Sequence, residues 1–133
     1  MQSNNNLSIL KFFFHTANLL IIIFYIYPGN ILGWLLYGNI EKEPHLTNDF
    51  LKISSNHVYI FIILSFLACL AYFNVRKKNI LLFNYLIFLS VILEVLHYFI
   101  PQRAFEFGDL FGNILGVLIC FIFFLIYKES RKL

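Results

Sequence analysis

Glu94 and His97 stand three residues apart in an apolar stretch, the spacing that puts two side chains on one helical face. A carboxylate and an imidazole in that relation are partners for general acid–base chemistry. Downstream, Pro101 cannot continue an unbroken helix, Arg103 and Glu106 follow in the turn, and Asp109 and Asn113 lie four apart on the next apolar run. Arg103 carries a planar cationic fork suited to a phosphate or carboxylate. Upstream, His57 opens another apolar run. The candidate ligand-binding set is therefore His57, Glu94, His97, Arg103, Asp109 and Asn113, with Glu94, His97 and Asp109 as the acid–base candidates. Gly108, Gly112 and Gly116 form a small-xxx-small stripe that lets two membrane helices approach closely. No serine or cysteine nucleophile is obvious near the cluster, and Gly-rich phosphate loops are absent. His57, His97, Glu94 and Asp109 are acceptable metal-ligand types. Glu-x-x-His is nonetheless common by chance on a helix, so no metal site and no cofactor are assigned.

The stretch from Glu94 to Gly116 resembles the VanZ-like family of small bacterial membrane proteins. Glu94, Pro101, Arg103, Asp109, Asn113 and Gly116 match that family's pattern, and His97 stands where a glutamine is usual. His57 fits the histidine of an upstream family element, with Ile53 and Ser54 in place of its acid and lysine. The resemblance runs from His57 to the C-terminus. It implies a multi-pass inner-membrane protein of a family whose first member is linked to teicoplanin resistance, and it implies no particular reaction.

Composition independently points to a membrane. Of 133 residues, 60% are hydrophobic and only 13% charged, against about 45–50% apolar in soluble domains. Seventeen Phe, eight Tyr and a mean hydropathy of +0.77 fit a chain solvated by lipid. The net charge of +3 is modest and the basic residues lie at segment ends, which argues against a nucleic-acid partner. Cys69 and Cys120 fall inside apolar segments and read as packing thiols. The N-terminal apolar run is longer than a usual signal-peptide core and lacks a small-x-small cleavage pattern, so it reads as an uncleaved helix.

These residues need helices to position them. The expected fold is all-α, a single domain over 1–133 with four membrane helices over about 10–27, 58–73, 80–99 and 110–127. The Asn-rich start reads as a frayed tail, and 74–79 as a tight basic turn. Gly29 to Asn39 is too short to span and reads as an interfacial or re-entrant segment, with Trp34 and Tyr37 at the membrane–water boundary. His15 and Asn18, one turn apart, are expected to bond a neighbouring helix. With four crossings, one side holds Lys11, Arg76, Lys77, Lys78, Lys128, Arg131 and Lys132, seven of the ten basic residues, which puts both termini in the cytoplasm.

That topology brings His57, Glu94, His97, Asp109 and Asn113 to the outer end. Glu94 lies five residues before Phe99, about 7–8 Å deep, and Asn113 about 6 Å beyond Asp109. A carboxylate facing hydrocarbon costs at least ~2.5–3.5 kcal/mol at mid-membrane, so these groups should turn inward to an outward-facing polar pocket. Structural roles compete: Glu94 and Arg103 as an ion pair, Asp109 as an N-cap, Asn113 as interhelical glue. Three functions stay open. The pocket presents itself to a lipid-linked envelope or glycopeptide-type ligand and modulates envelope properties or antibiotic tolerance. Alternatively Glu94 and His97 catalyse a reaction on a lipid-phosphate or acyl substrate. The third is a structural bundle that binds another membrane protein. Membrane lipids are partners in all three.

Overall fold

The computed structural model describes residues 2–72 and 76–131. It is all-helical: α1 Gln2–Ile26, α2 Ile31–Tyr37, α3 Ser55–Tyr72, α4 Arg76–His97 and α5 Phe107–Ser130. All but α2 are long and apolar enough to cross a membrane. Only 11% of the apolar window of α1, and 33–39% of those of the others, is buried inside the protein. Phe12, Ile63, Phe66, Phe88, Phe123 and Ile126 point outward. An apolar exterior of this extent is incompatible with water and suited to lipid.

The end of α1, the start of α3, the end of α4 and the start of α5 meet at one end of the bundle, which makes it an up-down-up-down arrangement. α3 and α5 are the most intimate pair, α1 packs on α3 and α4, and α4 packs on α5. The glycine stripe explains the first of these. A Cβ on Gly112 or Gly116 would come within 2.7 and 2.5 Å of the carbonyl oxygens of Ser54 and Val58, and one on Gly108 would meet that of Lys52 closer still. The two backbones touch where side chains would otherwise hold them apart. Phe61, Leu64, Leu93 and Val117 fill the core between the helices, with Phe14 added from α1.

Several helix ends differ from the sequence expectation. α1 takes in the Asn-rich start, since a nucleated helix propagates through residues of middling propensity. The first part of the expected basic turn lies outside the described residues, and Arg76 onward is already helix. α3 and α5 each begin three residues earlier than expected, and α4 ends at His97. Glu94 is thus in the last turn of α4, about 4–5 Å from its end rather than 7–8 Å. Glu106, not Asp109, holds the N-cap position of α5, and its side chain makes no capping bond. Asp109 sits instead in the first turn, where the helix dipole favours an anion.

Pro28 and Gly29 (φ +79°) end α1 and turn the chain into α2. α2 is capped by the Asn30 side chain, which accepts from Gly33 N, and stopped by Gly38 in the left-handed region. Gly33 lets α2 lie directly on the following loop, because a Cβ there would collide with Lys42 O. The rest of this connection is pinned to the head of α3. Asn56 donates to Pro44 O at 2.6 Å and accepts from Leu46 N at 3.0 Å, and Ser55 Oγ donates to Thr47 O at 2.9 Å.

Candidate functional site

Tyr25, in the last turn of α1, is the centre of the polar end. It reads in the sequence as a boundary residue, but it is 6% exposed. Its ring stacks on His97, with centroids 5.4 Å apart, and meets His57 and Phe61 edge-on. Its hydroxyl donates to Asn113 Oδ1 at 2.7 Å. Asn113 in turn donates to Ser90 O at 3.4 Å and is wholly buried, so it joins α1, α4 and α5.

Glu94 is also wholly buried. Its Oε1 accepts from Glu106 N at 3.0 Å, which ties the end of α4 to the start of α5. Its Oε2 lies 3.3 Å from His97 Nδ1 but outside hydrogen-bond alignment, and no other donor among the described residues reaches it. The other nitrogen of His97 is held 3.1 Å from Tyr25 O. His57 Nδ1 lies 2.7 Å from Ser54 Oγ and 3.3 Å from Asp109 Oδ1. Both contacts fall on the same ring nitrogen, so Ser54, His57 and Asp109 do not form the relay of a serine nucleophile, which uses opposite nitrogens.

Arg103 does not pair with Glu94. Its guanidinium donates to Phe24 O at 3.0 Å and Tyr27 O at 3.4 Å, capping carbonyls at the end of α1. Burial lowers its pKa from the ordinary value, while nearby Glu43, Tyr25, Glu94 and Asp109 oppose that shift. It stays cationic, because a guanidinium starts so high.

Over these groups lies a cleft of about 240 Å³, between the end of α1, α2, the following loop and the head of α3. Its walls are mostly apolar, with Ile31, Leu36 and Ile60 among them, and its polar lining includes His57, His97, Arg103 and Glu43. Glu94, Asp109 and Asn113 are not on its wall; Glu94 and Asn113 are sealed behind Tyr25 and the histidines. Sequence reasoning missed Tyr25, Ser54 and Glu43. Nothing in their spacing separates them from ordinary boundary and loop residues.

Among the described residues one set can hold a metal. A ring nitrogen of His57 and one carboxylate oxygen each from Glu94 and Asp109 lie within 4.8 Å of one another. His97 is not in this set. At the opposite end, His15 meets the Tyr72 hydroxyl at 3.0 Å and Asn18 donates to that of Tyr85 at 2.7 Å. Cys69 and Cys120 are free thiols on facing helices. No family model, curated protein or solved structure matches the chain.

Proposed function

We propose that this multi-pass membrane protein is a VanZ-like protein of the bacterial cytoplasmic membrane, with cytoplasmic termini. In this reading its cleft takes a lipid-linked envelope molecule by an anionic headgroup. The observation that carries the proposal is the cleft itself: apolar walls for an amphiphile, and at its edge a half-buried guanidinium. Pockets for small amphiphiles combine an apolar lining with a few convergent polar groups. Arg103 has five N–H donors, and its carbonyl contacts engage only part of the fork. The basic residues flanking the spans support the orientation, since Lys11, the start of α4 with its three basic residues, Lys128 and Arg131 lie at the end opposite the cleft.

The enzyme reading gains less. His97 is fixed by Tyr25 O and stacked on its ring, and Glu94 is closed off from the cleft, so the pair is poorly placed to meet a substrate directly.

The test is a strain lacking the protein, complemented with wild type, Arg103→Ala or Arg103→Lys. Arg103→Ala should behave like the empty strain in glycopeptide susceptibility while reaching the membrane at normal level. It should also lose the anionic lipid that native mass spectrometry detects on the wild type. Full complementation by Arg103→Ala, with its lipid retained, refutes the proposal.

A further inference from the structure

We infer that His57, Glu94 and Asp109 form a binding site for one divalent transition-metal ion beneath the cleft. The three residues come from three different helices, yet their ligand atoms lie within 4.8 Å of one another. The His57 Nδ1–Asp109 Oδ1 distance, 3.3 Å, matches the edge of a tetrahedron with metal–ligand bonds of about 2.0–2.1 Å, and binding there requires Ser54 Oγ, now 2.7 Å from the same nitrogen, to rotate away. One imidazole nitrogen with two carboxylate oxygens is a donor set for Zn²⁺ or Mn²⁺ rather than for a soft ion.

A second observation points the same way and does not depend on the spacing. Glu94 is 0% exposed, and its Oε2 has no aligned hydrogen-bond donor among the described residues, only the off-line His97 Nδ1 at 3.3 Å, although Oε1 is satisfied. A carboxylate oxygen left bare inside a lipid-solvated bundle is costly unless a cation or a proton meets it. The arginine at this end, Arg103, is turned to the carbonyls of α1 instead. Among the described residues the ion-pair contacts of these two neighbouring acids are histidines, with the Arg103 charge farther off, and a divalent ion between them supplies a permanent countercharge.

Three protein donors leave at least one coordination position free, as in sites that bind an exchangeable ligand. His57 is the donor that also lines the cleft, so the ion would lie at its floor. The site does not depend on which lipid the cleft takes.

The experiment uses the full chain, purified in detergent with its affinity tag removed, stripped with chelator and reloaded with ZnCl₂ or MnCl₂. Metal per chain after desalting is measured for wild type, Glu94→Gln, Asp109→Asn, His57→Gln and His45→Gln. Glu94→Gln keeps an oxygen for Glu106 N, and Asp109→Asn keeps its shape, so both should fold; a melting curve checks each. His45 is exposed in the outer loop and serves as the control. Wild type and His45→Gln should retain about one ion per chain, and the three ligand variants should bind about tenfold or more weakly. X-ray absorption of the Zn²⁺ form should show an oxygen/nitrogen shell with a single imidazole. Wild type that retains no more metal than folded Glu94→Gln and Asp109→Asn overturns the inference. Binding lost equally in His45→Gln overturns it as well.

Discussion

Tyr25 carries the polar end of the molecule more than any charged residue does. Its ring separates His57 from His97, and its hydroxyl holds Asn113. Tyr25→Phe keeps the ring and deletes the bond, leaving the buried Asn113 oxygen without that donor. The variant should lose about 1 kcal/mol of stability, the scale of an interhelical hydrogen bond in membrane proteins. A thermal melt in detergent reads this directly; an unchanged melting temperature would mean that water replaces the hydroxyl. Arg103 shows why residue types alone are an incomplete guide. An arginine near a glutamate suggests an ion pair, but the stronger demand comes from the carbonyls at the end of α1. Those carbonyls lie 76 and 79 residues away in the chain, and no local pattern contains them.

Among the elements, α3 and α5 set the geometry for the rest. Gly112 faces Ser54 O and the Cβ of His57, at 2.7 and 3.1 Å from where its own Cβ would stand. Gly112→Ala must push the two backbones apart. It should cost about 1–3 kcal/mol, the range for overpacking a tight contact, and shift His57 away from Asp109. Unfolding measurements compare it with Ile122→Ala, on the same helix but facing outward, which should lose much less. A Gly112→Ala protein no less stable than wild type would show that the helices separate at no cost. The spans, the breaks near Pro28 and Pro101 and the stripe itself were all legible as periodicity and composition. The heads of α3 and α5 were not. Ser55 and Asn56 are polar and look like loop, yet they are helical because the preceding loop satisfies them, above all through the two bonds of Asn56. The depth of Glu94 is misread from sequence for a related reason: Tyr98 and Phe99 are apolar enough to extend a helix that in fact stops at His97.

At the scale of the whole molecule, the site occupies one end, and the start of α1 and the end of α5 the other. Single cysteines introduced as His45→Cys in the outer loop and Ser130→Cys near the C-terminus, in a chain with Cys69 and Cys120 replaced, report the orientation. The proposed topology predicts that an impermeant thiol reagent labels the first in intact cells and the second only after lysis. The opposite pattern would place the cleft in the cytoplasm. That the polar side chains gather at one end was readable from the alternation of the spans. How they sort within it was not. Sequence reasoning places six residues on one wall, whereas three of them line the cleft and two lie sealed behind it.

The unequal holding of the four spans has a mechanical consequence. α3 and α5 are locked backbone to backbone, while α1 is the least enclosed and is tethered by side-chain bonds at His15, Asn18, Tyr25 and Arg103. The cleft end of that span is its best-held part, pinned at Tyr25 and by the Arg103 bonds, so the wall it gives the cleft is fixed by side chains where the floor is fixed by backbone.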